Sequence, residues 1–103
     1  MRKLPCARYL QALADDMRVR IVHLLVTGEQ CVTDISEALS SDVGRVSYHL
    51  GILKNAGVVD EDRRGQFVYY ALAPEIVQAV GKDGASLELG CFTLRFDERK
   101  GAF

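Results

Sequence analysis

The length, composition and charge of the chain limit the classes of protein to which it belongs. Its 103 residues suffice for one small domain, and 49% hydrophobic with 26% charged residues are typical of a globular protein rather than a disordered one. No apolar run approaches the roughly 18 residues that a membrane helix needs, and no signal peptide is recognisable, so we expect a cytoplasmic protein with no membrane contact.

The first two predicted elements are helices. Apolar residues recur at helical spacing from Leu4 to Leu13, and Pro5 is tolerated in a first helical turn. A second helix, from Met17 to Val26, follows Asp15 and Asp16, either of which can cap it. This second helix is apolar on most sides, which places it at the centre of the core.

Two further helices follow, joined by a short turn. Thr33 is a candidate N-cap for an amphipathic helix that ends at Leu39. Beyond the turn, a helix runs to about Ala56, with either Ser41 or Asp42 as its cap. Two consecutive helices separated by a few residues indicate a helix-turn-helix over residues 33–56.

After Gly57 the pattern changes to that of strands. The segments Val58–Glu61 and Phe67–Leu72 flank a polar turn of Arg63, Arg64, Gly65 and Gln66, which predicts a β-hairpin over residues 58–72. A short helix follows from Pro74 to Val80. A tail over residues 85–97 alternates like a strand, and its parity changes at Gly90–Cys91, as a bulge or tight turn requires.

These elements predict the fold class. The order helix, helix, helix-turn-helix, hairpin, helix is that of a winged helix-turn-helix. We therefore expect a single domain over residues 1–103 that is mainly α with a β-hairpin wing (α+β), with an additional strand-like C-terminal tail.

Three segments carry a resemblance to a known family. They are ALADDMRVRIV from Ala12, VSYHLGILKNAGVV from Val46 and RGQFVYYAL from Arg64. Together they resemble the ArsR/SmtB family of bacterial metalloregulatory repressors, and the resemblance fades after Pro74. It implies a homodimer that binds double-stranded operator DNA, represses transcription and is released by an inducer.

The recognition helix and the wing supply the candidate DNA contacts. Side chains that face outward from the helix can read base edges, and Arg45 is the best candidate for a guanine. His49 matches a histidine of the family's helix, although internal packing is an equal alternative for it. The net charge of −1 weakly disfavours DNA binding, but one basic face is compatible with an acidic protein. The expected DNA-binding residues are Val43, Arg45, Ser47, Tyr48, His49, Arg63, Arg64 and Gln66.

The cysteines are the candidates for inducer binding. Cys6, Cys31 and Cys91 are odd in number and far apart, so we expect no disulfide framework in a cytoplasmic protein. The resemblance implies that Cys31 matches the first cysteine of the family's Cys-x-Cys, whereas Thr33 occupies the second position. A thiophilic metal or metalloid such as As(III) or Cd(II), or an oxidant, would need Cys91 or Cys6 as well, and Cys31 with Cys91 is the favoured pair. Simple burial of these thiols is the alternative.

Two other functional classes deserve comparison with a DNA-binding repressor. An enzyme is disfavoured because the sequence has no paired catalytic carboxylates, no Ser-His-Asp pattern and no phosphate-binding loop. A winged helix used only for protein–protein contact is the stronger alternative, which the acidic balance favours and the exposed arginines disfavour. A metal site of histidines on the last helix is excluded, because residues 74–82 contain none.

Overall fold

The computed structural model describes residues 6–96, and it begins with two packed helices. Helix α1 spans Cys6–Leu13 and helix α2 spans Asp16–Leu25. Asp15 caps α2, because its side chain accepts a hydrogen bond from the backbone amide of Arg18 at 3.2 Å. The predicted start of the first helix, at Leu4, lies outside the described residues.

The helix-turn-helix consists of α3 and α4. Helix α3 spans Val32–Leu39, one residue earlier than expected, and therefore Thr33 lies inside it and does not cap it. Helix α4 spans Val43–Asn55. Between them, Ser40 adopts the left-handed conformation with φ 53°, and the Ser36 hydroxyl donates a hydrogen bond to the Ser41 carbonyl. This turn connects α3 to α4.

The wing is a three-stranded antiparallel sheet rather than a simple hairpin. Strand β1 spans Gln30–Cys31, β2 spans Val59–Arg64 and β3 spans Phe67–Leu72, in the spatial order β1-β3-β2. Gly65 closes the turn between β2 and β3 with φ 62°, a conformation that glycine adopts without strain. The short β1 pairs with Tyr69 and Tyr70 and thereby ties the wing to the start of α3.

The C-terminal segment forms a second small hairpin. Helix α5 spans Pro74–Ala79, β4 spans Ser86–Glu88 and β5 spans Thr93–Arg95. Strands β4 and β5 pair antiparallel, and Gly90 in the turn has φ 87°. The alternation of the tail therefore belongs to two short strands, and the parity change marks the turn between them.

The core lies where α2, α3 and α4 meet the wing and α5. Its centre consists of fully buried aliphatic side chains from α2, α3, α4, α5 and β4, together with Val58 before β2: Ile21, Ile35, Val46, Leu50, Leu53, Ile76 and Leu87. Leu87 brings the C-terminal hairpin into the same cluster. Within residues 6–96, no helix has the length and apolarity that crossing a bilayer would demand.

A disulfide joins the two ends of the described chain. Cys6, the first residue of α1, is bonded to Cys91 in the β4–β5 turn, with their Cα atoms 6.3 Å apart. The expectation of no disulfide framework is therefore wrong for Cys6 and Cys91, because the fold brings α1 against the C-terminal hairpin. Cys31 is free and buried.

Candidate nucleic-acid interface

Helix α4 is fixed by its cap and by one apolar stripe. The Asp42 side chain accepts a hydrogen bond from the Arg45 amide at 2.8 Å, so Asp42 and not Ser41 is the cap. Val46, Leu50 and Leu53, spaced four and three residues apart, are completely buried against the core. The opposite face of the helix is consequently presented to solvent.

The outward face of α4 carries four of the predicted DNA-binding side chains. Val43, Arg45 and Ser47 are exposed, and Tyr48 is 65% exposed. Among the described residues, no carboxylate pairs with the Arg45 guanidinium, so its five donors are available to an external acceptor. This surface, Val43, Arg45, Ser47 and Tyr48, is called the α4 face below.

His49 does not belong to the α4 face. It is only 7% exposed, and its Nδ1 accepts a hydrogen bond of 3.0 Å from Nη1 of Arg18. The Nε of the same guanidinium donates to the Ala12 carbonyl at 2.6 Å. Of the two roles considered for His49, DNA contact and internal packing, this geometry supports packing, because the side chain points inward and braces α4 against the α1–α2 junction.

Asp15 lies beside this pair of residues. Its carboxylate is 4.0 Å from His49 Nδ1 and 4.0 Å from Arg18 Nη1. Burial alone would raise the pKa of Asp15, but the hydrogen bond from the Arg18 amide and the charge of Arg18 outweigh it and lower the pKa. Asp15 thus remains ionised and completes a partly buried polar cluster.

The two wing arginines differ in their availability. Arg63 is exposed and lies 3.2 Å from a Glu61 oxygen. Arg64 is held more firmly: it donates to Glu29 and, at 2.9 Å, to Asp62, and its guanidinium stacks 4.3 Å from the centroid of Tyr69. The bonds to Glu29 and Asp62 raise the pKa of the Arg64 guanidinium. Arg63 is therefore the freer of the two.

Acidic residues on β2 lower the positive charge of the wing. Glu61 also accepts a bond of 2.7 Å from Lys54, which lowers the pKa of Glu61 and raises that of Lys54. Lys54 is therefore paired rather than freely solvated.

The wing tip carries two exposed side chains. Gln66 is exposed, and so is Phe67, at 53%. Phe67 is not among the predicted site residues, because it begins a strand-like segment whose pattern gives no indication of DNA contact.

The structure brings two of the three cysteines together, but they are not the favoured pair. Cys91 is bonded to Cys6, so the favoured pairing of Cys31 with Cys91 is wrong in this structure. Cys31 lies in β1 opposite Tyr69 and is almost fully buried. Over residues 6–96, the structure holds no group of three or more histidine, cysteine or carboxylate side chains arranged to bind a metal ion.

Comparison with known proteins identifies the family. The model of the arsR family of bacterial regulatory proteins matches residues 15–61, which include the helix-turn-helix. The transcriptional repressor SdpR of Bacillus subtilis is 38% identical over 68 residues, which are 66% of this chain and 76% of SdpR. The chain belongs to the arsR family.

Other arsR-family relatives carry names that refer to metals. A cadmium resistance regulator, a CadC homologue of Staphylococcus aureus, is 40% identical over 73 residues, which are 70% of this chain. The chain spans only 60% of the length of that relative.

Solved structures share the winged helix-turn-helix fold. HlyU from Vibrio cholerae superposes with a TM-score of 0.69 and 29% identity, covering 73% of this chain and 82% of HlyU. A homodimeric winged helix-turn-helix DNA-binding domain from Mycobacterium bovis gives 0.67 and 37% identity, covering 71% and 68% of the two chains. The predicted fold class and family are thereby confirmed.

Proposed function

We propose that this arsR-family protein is a homodimeric repressor that binds operator DNA through the α4 face. The observation that carries the proposal is the position of Arg45, Ser47 and Tyr48 on the N-terminal half of the second helix of a helix-turn-helix. Side chains at that position read base edges in the major groove. The unpaired guanidinium of Arg45 suits the O6 and N7 acceptors of guanine, and the hydroxyls of Ser47 and Tyr48 suit phosphates or bases.

The wing supplies the second part of the DNA interface in this proposal. Arg63 has one carboxylate partner and is largely exposed, so it exchanges that partner for a phosphate at low cost. Gln66 at the turn can donate to the sugar–phosphate backbone. Arg64 is held by two carboxylates, so it contacts phosphate only by giving up one of them, and it is the weaker of the two wing contacts.

Dimerisation presents the two recognition helices to successive turns of the duplex. The Mycobacterium bovis relative is described as homodimeric, which supports a twofold assembly here. Leu10 of α1 and Val77 of α5 are large apolar side chains exposed in the single chain. A second copy is the partner that would cover them.

The first test measures the contribution of Arg45. We expect Arg45→Ala to weaken binding to DNA from upstream of the protein's own gene at least tenfold, because each guanine contact contributes about 1–3 kcal/mol and occurs twice in a dimer. Fluorescence anisotropy at fixed salt measures the affinity.

The salt dependence of binding is a second test. If 6–10 phosphates are engaged, the affinity of the unmodified protein for DNA falls by roughly three to five powers of ten between 50 and 200 mM salt.

Arg95→Ala is the matched control for this test, since Arg95 is an exposed arginine of β5. It should leave the affinity within about twofold of the unmodified protein. Equal loss in both variants, or an affinity that is independent of salt and of DNA sequence, would contradict the proposed use of the α4 face.

A protein–protein module is the alternative function that one observation favours. The wing carries Asp60, Glu61 and Asp62, and the exposed aromatic residues Tyr48 and Phe67 are common at protein interfaces. The same anisotropy experiment separates the two functions. Absence of DNA binding by the folded dimer at low salt would leave the interaction module as the better interpretation.

Release by a thiol-reactive inducer is the regulatory part of the proposal. The names of the cadmium and arsenic resistance relatives support As(III) or Cd(II) as candidates. Reduction of the Cys6–Cys91 bridge would expose two adjacent thiols, which such ions prefer to oxygen ligands. Titration of either ion into the protein–DNA complex, with Cys31→Ser as control, tests this part.

The proposed function also implies a location. A protein that binds operator DNA acts on the chromosome, which lies in the bacterial cytoplasm.

A further inference from the structure

We infer that Cys6 and Cys91 form a reversible dithiol–disulfide site, and that the bridged form binds operator DNA more weakly than the reduced form. The inference rests on the DNA-binding function proposed above and names its regulation. Two independent features carry it. One is the bond that joins α1 to the β4–β5 turn across 85 positions of sequence, and the other is a hydrogen-bonded connection from α1 to the recognition helix.

The two sulfur atoms differ in access. Cys91 lies exposed in a turn, Cys6 is partly exposed, and Cys31 is buried. A small reagent therefore reaches Cys91 first, and Cys6 is the neighbour that completes the reaction. The placement is that of an attacking thiol beside a resolving thiol.

A low-molecular-weight disulfide is the class of oxidant that this site suits. The Cys91 thiolate attacks one sulfur of the small disulfide, forms a mixed disulfide and releases one small thiolate. The Cys6 thiolate then attacks the Cys91 sulfur and releases the second small thiolate. The protein loses two electrons, and the small disulfide gains them as two thiols.

The direction of the effect follows from the proposed place of action. Thiols are kept reduced in the compartment that contains the bacterial chromosome. The dithiol is therefore the resting form, in which a repressor occupies its operator. Formation of the bridge is the signal, and it should release the DNA.

One guanidinium connects the cysteine pair to the DNA-binding face. Cys6 begins the eight-residue helix α1, and the carbonyl of Ala12 near the end of that helix accepts a bond from Arg18 Nε at 2.6 Å. Nη1 of Arg18 donates to His49 of α4 at 3.0 Å. Tyr9, Ala12 and Leu13 are buried, so α1 packs on the core beside this connection.

The disulfide restricts movement of helix α1. It ties the first residue of α1 to the C-terminal hairpin, and α1 in turn braces α4 through Arg18 and His49. Binding to DNA requires both recognition helices of a dimer to adopt the spacing of one helical turn. Restricting α1 opposes that adjustment, and we expect about tenfold weaker binding by the bridged form.

The test compares the two redox forms of the unmodified protein. One sample is kept in reductant, and the other is treated with oxidised glutathione until mass spectrometry shows loss of two hydrogen atoms and a peptide that links Cys6 to Cys91. Anisotropy with operator DNA should show about tenfold weaker binding by the oxidised sample, reversed by reductant. Cys91→Ser should abolish the difference, and Cys31→Ala should retain it.

A second pair of variants tests the connection. Arg18→Lys keeps the charge but replaces the two nitrogens that bond Ala12 and His49 with a single one, so the redox effect should fall below about twofold while DNA binding persists. Arg20→Lys, on the same helix and exposed, should retain the full effect.

Three outcomes would overturn the inference: equal affinity of the two forms, tighter binding by the bridged form, or failure of the pair to bond. Loss of DNA binding in both redox states would instead overturn the proposed function.

Discussion

At the scale of single residues, neighbours on one helix have opposite roles. Tyr48 is exposed and His49 is buried, although both are polar aromatic residues at adjacent positions. Position 49 lies three residues after Val46 and four before Leu53, so helical periodicity itself places it on the buried stripe. The spacing indicates burial, whereas the chemistry of histidine also suits DNA contact, and the sequence alone therefore gives the two roles equal weight. Its partner Arg18, 31 positions away, could not be predicted from the sequence.

Ser40 offers a test of backbone conformation. It is the one non-glycine residue within residues 6–96 that has a positive φ. Residues other than glycine are unfavourable in this left-handed conformation, because their Cβ atom approaches the backbone too closely. We expect Ser40→Gly to raise the free energy of unfolding by about 0.5–1 kcal/mol. Urea denaturation followed by circular dichroism measures the change.

Ser41→Gly is the matched control for this substitution. Ser41 has a negative φ, so glycine there only increases the freedom of the unfolded chain and should lower stability. A loss of stability in both variants would show that the left-handed turn imposes no measurable cost on the helix-turn-helix.

At the scale of elements, the sequence predicts the helices and the wing well but misses β1. Periodicity predicts α2, α3 and α4 within a few residues of their observed ends, because each buries one face. Strand β1 has only two residues, too few to produce a pattern, and it exists because β3 offers a free edge. The pairing of Arg64 with Glu29 likewise depends on β1 drawing the α2–α3 connection to the wing.

The Glu29–Arg64 ion pair makes the wing a testable element. We expect Glu29→Gln to strengthen DNA binding about threefold to tenfold at low salt, because it removes a carboxylate that competes with phosphate for Arg64. Anisotropy over a range of salt concentrations measures the effect, which should shrink as salt rises.

Asp60→Asn is the control for the wing variant. Asp60 is exposed on the same hairpin, and the substitution changes the charge equally without touching Arg64. An equal gain in affinity from both variants would mean that general charge, and not release of Arg64, determines the effect.

At the scale of the whole molecule, the disulfide is the feature that the sequence could not predict. Its cysteines are 85 positions apart, and an odd number of cysteines without a recognisable spacing gives no pairing. The contact arises only after α1 and the β4–β5 hairpin pack on the same core. The pairing of the cysteines therefore follows from tertiary packing and not from their spacing in the sequence.

The bridge should also change global stability. Because it closes a long loop in the unfolded chain, we expect the bridged form to unfold with a free energy about 2–5 kcal/mol higher than the reduced form. Urea denaturation with and without reductant measures the difference. Cys6→Ser should match the reduced form under both conditions, and stability that does not respond to reductant would contradict the expected contribution.

The bridge has a consequence for the integrity of a damaged molecule. Because it encloses nearly all of the described residues, a protease that cuts the exposed wing turn at Gly65–Gln66 produces two fragments that stay covalently attached. Under oxidising conditions a nicked chain would keep both halves of its core together, and they would separate only when a reductant opens the bond.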